Sequence, residues 1–241
     1  MLYLVGLPVG NWEDMPKRNF ELLRNAKYLV VENQENFNII KSNLALDNII
    51  QTFYIGSMGK YDLTKEPETF KIILELLKSG EDVYVISDDG MPGIADPGEM
   101  ITRETINHGF TVSATPGPSA IIAAASVAGC QHNFSFEAFL PEDKKERAKA
   151  IQIKSSNQAP MIFMLVNIQK SRVYEVLDQM VEKWGNRNGV LCYNLTTSKE
   201  TTVRGDLLYL RKYHEINSNE DDLVMLVVDG SRPMLSMPKA L

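Results

Sequence analysis

The stretch DVYVISDDGMPGIADPGEM, residues 82–100, joins a short apolar run to a loop that is rich in acid and glycine. The apolar run is bounded by turn-forming residues and predicts a buried β-strand. The loop after it holds three aspartates, three glycines and two prolines. Aspartates in such a loop can hold a metal ion, cap a helix or shape a pocket for a small molecule. Asp88, Asp89 and Asp96 are therefore the first candidates for a functional site.

Strands and helices alternate around this stretch as far as residue 129. The clearest helix covers residues 66–80, where apolar side chains recur at helical spacing and Gly80 provides the C-cap. Such alternation is typical of βαβ units with a mostly parallel sheet. We expect strands at 2–7, 27–33, 52–56, the start of 82–90 and 111–115, and further helices at 16–26, 36–46, 97–108 and 117–129.

The second half of the chain changes character, with a polar, charged segment followed by further strands. This change near residues 115–119 fits two domains, which we place at residues 1–116 and 117–241. The predicted fold class is α/β in both domains. In the second domain we expect helices at 142–159, ending in a turn, and at 171–185, and strands at 160–167, 189–196, 200–210 and 221–230.

Four irregular loops leave predicted strands at their carboxyl ends. In open parallel sheets the ligand crevice lies beyond those ends. We therefore expect the four loops to cluster at one rim of the first sheet. They are GLPVGN (6–11), ENQEN (32–36), SDDGMPGIADPG (87–98) and TPGPSA (115–120).

Composition narrows the classes of function. The chain has 241 residues and a formal net charge of -6, which argues against a strongly basic nucleic-acid surface but allows a local patch. Its two cysteines, Cys130 and Cys192, form neither a disulfide framework nor a metal motif. No apolar run reaches the roughly 20 residues of a membrane span, and the N-terminus lacks a signal peptide's basic region. We expect a soluble, cytoplasmic protein with no membrane partner.

The four loops match no common template for phosphate or metal. GLPVGN has glycines only at Gly6 and Gly10, which is neither a dinucleotide fingerprint nor a P-loop. The aspartate spacing fits no calcium or magnesium loop, so we expect no dedicated metal site. No G-x-S-x-G is present, so acyl transfer lacks support. Two interpretations of the acidic loop stay open: a turn in which Asp96 caps the helix that Pro97 opens, and a pocket in which backbone groups approach a ligand.

The loop TPGPSA is the most restricted of the four. Gly117 lies between two prolines, and Ser119 is placed to cap a helix that begins with small residues. The small residues allow two interpretations: tight packing of that helix on the sheet, or space for a flat ligand beside the start of the helix. We expect a side chain at position 117 to project toward a ligand or to strain the turn.

These four loops, in this order, resemble those of the tetrapyrrole methylase superfamily of S-adenosylmethionine-dependent methyltransferases. Within it, the RNA-modifying members, which 2′-O-methylate a cytidine, are the most similar. Three later segments strengthen the resemblance: FEAFLP (136–141), TTVRGDL (201–207) and LVMLVVDG (223–230). Each motif alone is weak evidence for the resemblance. Together the motifs are strong evidence, because they occur in the same order over nearly the whole chain.

The resemblance implies two α/β domains with a cofactor cleft between them, a homodimer, S-adenosylmethionine as cofactor and an RNA substrate of the small ribosomal subunit. A tetrapyrrole or other small methyl acceptor and a non-catalytic, cofactor-binding role are the alternatives. The carboxylates Glu32, Asp88 and Asp89 are the candidates for a catalytic base. By position, the cofactor-lining residues would be Pro8, Ser87, Asp88, Asp89, Gly90, Ser119, Ala120, Leu165, Leu195 and Val224.

Three segments depart from the RNA-modifying members. Their Glu-Asp-Thr-Arg run is ENQEN here, which keeps Glu32 and loses the following acid and the arginine. Their Phe-Tyr-Glu-Ala-Pro-His-Arg run is FMLVNIQKSR (163–172), and their Ala-Arg-Glu-Leu-Thr is CYNLT (192–196). These losses change the face where an RNA substrate would lie, whereas the resemblance in the cofactor-lining loops is kept. Other basic groups could rebuild a phosphate-contacting face: those of DKKERAK (143–149), Lys170, Arg172, Lys199 and Arg204.

Overall fold

The chain forms two compact units in the computed structural model, which describes residues 1–56, 65–130, 132–166 and 169–231. The first unit is Met1–Ser119 and the second is Ala120–Leu241. The division thus follows Ser119, where the sequence pattern suggested residue 116. The last residue of the strand expected at 160–167 lies outside the described residues.

The first unit is a five-stranded sheet in which every described strand pair is parallel. Its strand order is β3-β2-β4-β1-β5. This confirms the parallel sheet that the alternation predicted. The strands are β1 (Leu2–Val5), β2 (Tyr28–Val31), β3 (Gln51–Tyr54), β4 (Val83–Val85) and β5 (Val112–Thr115), and the helices are α1 (Lys17–Arg24), α2 (Gln34–Leu44), α3 (Lys65–Lys78) and α4 (Glu99–Asn107).

Alternate residues of the strands in the first unit pack on opposite faces of the sheet. Leu29 and Val31 of β2 join the cluster of α1 and α2, whereas Val30 between them joins the cluster of α3 and α4. This is the two-residue period of a strand that is buried on both faces. The sheet therefore has helices on both sides, and its carboxyl edge is left to the loops.

The second unit is a mixed sheet of order β6-β7-β10-β8-β9. Among the described strands of this second sheet, β6 and β7 pair in parallel, and the other neighbouring strands pair antiparallel. Helix α5 packs on one face and helices α6, α7 and α8 pack on the other. In chain order the elements are α5 (Ala120–Ala128), β6 (Ser135–Ala138), α6 (Lys144–Ile153), β7 (Met161–Met164), α7 (Lys170–Trp184), β8 (Asn188–Tyr193), β9 (Thr201–Asp206), α8 (Leu207–Asn217) and β10 (Val224–Val228).

The strand expected at 200–210 is wrong in its second half. The strand ends at Asp206, whose side chain accepts a hydrogen bond from the Tyr209 backbone N at 2.8 Å and caps helix α8. Apolar side chains at Leu207 and Leu210 then face the core at helical spacing. A short buried strand and the first turn of a helix have similar apolar patterns, so the run LLYL (207–210) fits either one.

Among the described residues, no helix combines the length and apolar character that a membrane span requires.

Candidate active site

Three of the four predicted loops are joined by backbone hydrogen bonds at the carboxyl edge of the first sheet. The Leu7 N donates to the Gly90 carbonyl at 2.7 Å, and the Gly90 N donates to the Pro8 carbonyl at 3.4 Å. The Gly6 N donates to the Thr115 carbonyl at 3.3 Å, which adds the loop after β5. The loops therefore form one rim, as the parallel order of the strands predicts.

Gly117 is needed for a close approach of two backbones. A Cβ built on Gly117 would lie 2.7 Å from the Gly6 Cα, and one built on Gly6 would lie 2.7 Å from the Gly117 Cα. The buried Asn19 holds the two segments together, since its Nδ2 donates to the Gly6 carbonyl at 2.8 Å and to the Pro116 carbonyl at 3.0 Å. A side chain at position 117 would therefore meet the Gly6 backbone, a contact that the sequence did not reveal.

Glu32, which follows β2, is a buried carboxylate at this rim. It is 5% exposed, and its Oε1 accepts a hydrogen bond from the Asp88 backbone N at 3.1 Å. Burial, reinforced by the charges of Asp88, Asp96 and Asp89, raises the pKa of Glu32 to about 8. A carboxyl group with such a pKa exchanges its proton near neutral pH.

Asp88 is held by two asparagines that follow Glu32 in the chain. Its Oδ2 accepts hydrogen bonds from the Asn33 Nδ2 at 2.9 Å and from the Asn36 Nδ2. Burial raises the pKa of Asp88, and the two amides counteract part of that rise. The sequence of this segment showed only that an acid and an arginine of the RNA-modifying members are missing. It did not show that Asn33 and Asn36 donate hydrogen bonds to Asp88 in another loop.

Asp96 belongs to the same carboxylate group and does not cap a helix. Helix α4 begins at Glu99 after Gly98, with no side-chain cap, so the capping interpretation is wrong. Burial, followed by the charges of Asp88 and Asp89, raises the pKa of Asp96 to about 7. We call Glu32, Asp88, Asp89 and Asp96 the rim carboxylates.

The remaining rim residues shape the acidic loop. The buried Ser87 donates from its Oγ to the Asp89 carbonyl at 2.9 Å. Gly90 has φ 71°, in the left-handed region where glycine carries no steric penalty. Burial, followed by the charge of Asp88, raises the pKa of the Asp89 carboxyl. Pro8, which accepts from Gly90, is also buried.

The rim carboxylates concentrate negative charge at one site. Every charge that shifts the pKa of Glu32 or of Asp96 is another carboxylate, so a bound cation would relieve their repulsion. Among the described residues, no group of three or more His, Cys, Asp and Glu side chains has the arrangement of a metal site.

The cofactor positions expected in the second unit lie at one edge of its sheet. Leu165 follows β7, Leu195 follows β8 and Val224 opens β10. Their side chains are 2%, 6% and 1% exposed, and the Leu165 N donates to the Val224 carbonyl at 2.9 Å. Contact with a ligand at these positions would therefore come mainly from the backbone.

The last two expected positions, Ser119 and Ala120, lie where the first unit ends and α5 begins. Both residues are half-buried. Their role in binding a cofactor stays a prediction, as does that of the other expected positions.

Most of the basic groups expected to meet RNA are already engaged within the protein. Arg147 of DKKERAK is 1% exposed and donates to Gln179, Glu175 and two backbone carbonyls. Arg204 donates to the carbonyls of Val127 and Ala128. The buried Arg147 is therefore not available to RNA, whereas the exposed Arg204 is bonded to the carboxyl end of α5.

The fold is one that solved methyltransferase structures share. Among solved structures, diphthine synthase matches with a TM-score of 0.69 and 17% identity, over 97% of this chain and 91% of the other. Uroporphyrin-III C-methyl transferase from Thermus thermophilus, complexed with S-adenyl homocysteine, matches with a TM-score of 0.60 and 16% identity, over 95% and 96% of the two chains. At this level of identity the two structures support the fold.

Sequence relatives identify the family. The tetrapyrrole (corrin/porphyrin) methylases match residues 1–210. A protein named ribosomal RNA small subunit methyltransferase I from Thermotoga maritima is 30% identical over 205 residues, 85% of this chain and 87% of the relative. The protein of that name from Bacillus subtilis is 30% identical over 235 residues, 96% and 75% of the two chains. The chain belongs to the tetrapyrrole methylase family, which confirms the resemblance and makes it a methyltransferase.

Proposed function

We propose that this protein transfers the methyl group of S-adenosylmethionine to RNA of the small ribosomal subunit. The observation that carries the proposal is the similarity to relatives named for methylation of small-subunit ribosomal RNA, which for one of them covers 96% of this chain and 75% of the relative. The rim carboxylates supply the chemistry that the reaction needs: a place for a cation and an acceptor for a proton.

The rim residues fit S-adenosylmethionine by charge and by shape. When bound, this cofactor supplies an activated methyl group on a positively charged sulfonium. Asp88, Asp89 and Asp96 would offset that charge, and Gly90 would let the backbone approach the ligand. No metal is needed for this binding, since the cation itself is the electrostatic partner of the carboxylates.

Glu32 is the group we assign as the catalytic base. A base works best when its pKa lies near the operating pH, and the pKa of Glu32 is raised to about 8. The Asp88 amide holds the Glu32 Oε1, so the carboxylate is oriented and Oε2 would take the proton. The acceptor hydroxyl would lose its proton to Glu32 as its oxygen forms the bond to the methyl carbon and the sulfur–carbon bond breaks. Asp88 and Asp89 remain the alternative bases.

A tetrapyrrole or other small acceptor is the second candidate, supported by the family and by the uroporphyrin enzyme among the structural neighbours. Tetrapyrroles carry several carboxylates and would favour arginines and lysines at the site, and the four rim loops contain neither residue. The basic groups that could contact RNA phosphates lie outside these loops. A non-catalytic, cofactor-binding role fits less well, because binding alone needs no proton acceptor with a pKa raised to about 8, as that of Glu32 is.

Two further features belong to the proposal. A cytoplasmic location follows from an acceptor in the ribosome. A homodimer rests on the family resemblance, and sedimentation of the purified chain would decide it.

Transfer of labelled methyl groups in vitro tests the proposed acceptor. The purified protein is incubated with S-adenosylmethionine labelled in its methyl group and with small ribosomal subunits from a strain that lacks the protein. We expect label in the RNA of those subunits, and none when subunits from the parent strain are used, because the site is already methylated there. A parallel incubation with a reduced uroporphyrin should stay unlabelled. Label in the porphyrin and none in the RNA would replace this proposal with the second candidate.

A further inference from the structure

A polar cavity of about 220 Å³ lies in the second unit, at the edge where β8 ends and β10 begins. This is also the edge that carries Leu195 and Val224, the expected cofactor positions of this unit. The cavity is smaller than the roughly 300–1,000 Å³ of pockets for drug-sized ligands, so it suits a fragment about as large as one nucleotide base. Six residues carry the argument: Tyr193, Asn194, Lys199, Tyr213, Asn217 and Asp222.

Lys199 is the cation of this cavity. Lys170, Arg172 and Arg204, named with it as possible phosphate contacts, each bond a protein carbonyl or carboxylate. The Lys199 ammonium has no such partner among the residues that the structure describes, and the side chain is exposed. An ammonium group in this state is available to an anion such as a phosphate.

Asp222 places a fixed acceptor in the same cavity. Its Oδ1 accepts from the Asn194 Nδ2 at 2.8 Å and its Oδ2 accepts from the Asn219 backbone N at 2.7 Å. Burial acts to raise the pKa of Asp222, but the hydrogen bonds from Asn219 and Asn194 outweigh it and lower that pKa. The carboxylate is therefore ionised near neutral pH and can accept from an amino group of a base.

Two tyrosines supply an aromatic wall. The rings of Tyr193 and Tyr213 are 6.2 Å apart between centroids and tilted by 48°. Tyr193 is fixed by its hydroxyl, which lies 3.0 Å from the His214 Nδ1, whereas Tyr213 is half-buried. A half-buried tyrosine offers a ring face on which an unpaired base can stack.

The loop beside the cavity is held in a strained conformation. Asn194 has φ 48° and Thr196 has φ 66°, and a β-branched residue rarely adopts the latter value. The Thr196 Oγ1 is buried and has no hydrogen-bond partner within the described part of the chain. Strain of this kind concentrates at ligand clamps, where binding repays it.

We propose that this cavity binds one unpaired nucleotide of the RNA acceptor, with its base on Tyr213, its phosphate at Lys199 and an amino group of the base at Asp222. The proposal rests on the proposed function and deepens it, since it assigns a specificity subsite on the second unit. Cation, acceptor and aromatic ring together match a nucleotide of single-stranded RNA, the form in which proteins read RNA sequence.

Direct binding of RNA tests this subsite without any methyl transfer. The probe is a short single-stranded RNA labelled with fluorescein, titrated with the full chain at several salt concentrations. Lys199→Ala should weaken binding and reduce the salt dependence by about one phosphate contact. Tyr213→Leu should weaken binding about tenfold or more with the same salt dependence as the wild type. Lys212→Ala removes an exposed lysine outside the cavity and should bind as the wild type does.

The outcomes separate the subsite from the proposed function. Wild-type affinity and salt dependence in Lys199→Ala, or no binding of RNA by the wild type, would overturn the subsite. If Tyr213→Leu does not fold, Lys199→Ala still decides, because that side chain is exposed. Methyl transfer to ribosomal RNA by variants with unaltered RNA binding would leave the proposed function standing and remove the subsite. RNA binding that is weakened by Lys199→Ala and Tyr213→Leu, without methyl transfer to ribosomal RNA, would support the subsite and contradict the proposed function.

Discussion

Glu32→Gln should lower the turnover rate at least about 100-fold, because a glutamine cannot take the proton of the acceptor hydroxyl. The substitution keeps the shape of the side chain and leaves an oxygen to accept from the Asp88 amide. Binding of S-adenosylmethionine should fall much less than turnover, since Asp88, Asp89 and Asp96 remain. Single-turnover transfer to small ribosomal subunits and calorimetry of cofactor binding measure the two effects separately.

The same substitution should stabilise the fold at alkaline pH. The pKa of Glu32 is about 8 in the folded protein and 4.5 as its ordinary value. Between these values the unfolded chain has lost the proton and the folded chain keeps it, so the free energy of unfolding falls as pH rises from about 4.5 to about 8. Each unit of pKa difference is worth about 1.4 kcal/mol. Glu32→Gln should therefore gain a few kcal/mol over the wild type at pH 8 and little at pH 5.

Glu35→Gln is the matched control, since Glu35 is exposed in the first turn of α2. It should leave both turnover and the pH dependence of stability unchanged. Wild-type turnover in Glu32→Gln would exclude Glu32 as the base and move that role to Asp88 or Asp89. Identical stability curves against pH would contradict the raised pKa of the buried Glu32 carboxyl.

Gly117→Val should destabilise the first unit by about 3 kcal/mol or more. Its Cβ would lie 2.7 Å from the Gly6 Cα and 2.8 Å from the Gly6 carbonyl carbon, and backbone atoms cannot rotate away as a side chain can. The two segments would separate, and the hydrogen bonds from Asn19 to both of them would break. Cofactor binding should be lost together with stability, which thermal unfolding and calorimetry would detect.

Gly80→Ala is the control for this substitution. Gly80 has φ 85° and open space around it, so an alanine there meets no atoms and carries only the cost of the left-handed conformation, about 1–2 kcal/mol. Gly117→Val should cost more than this control. A Gly117→Val protein that unfolds at the wild-type temperature would contradict the close approach of Gly6 and Gly117.

The first unit was predictable from sequence because its signals are local. Short apolar strands alternate with amphipathic helices there, and the rule for parallel sheets brings the loops to one edge without further information. Helix α8 was not predictable in the same way. Its first turn, LLYL, is as apolar as a strand, and only the Asp206 side chain, which caps the helix, shows where the strand ends.

The sequence predicted which loops meet at the rim and did not predict the contacts between their side chains. Glu32, Asp88 and Asp89 follow from the motifs, but their raised pKa values depend on burial and on one another. The bonds from Asn33 and Asn36 to Asp88 join residues more than fifty positions apart, which no local pattern encodes. The contact of Gly117 with Gly6 also joins residues far apart in the chain, so the turn sequence alone could not show it.

The set of methylated nucleosides in the small ribosomal subunit shows whether this chain methylates ribosomal RNA. RNA from small subunits of a strain lacking the protein is digested and compared with that of its parent by mass spectrometry. We predict that one ribose-methylated nucleoside decreases in the strain lacking the protein, returns with the wild-type chain and does not return with Glu32→Gln. An identical set of methylated nucleosides in the two strains would contradict the account and remove ribosomal RNA as the acceptor.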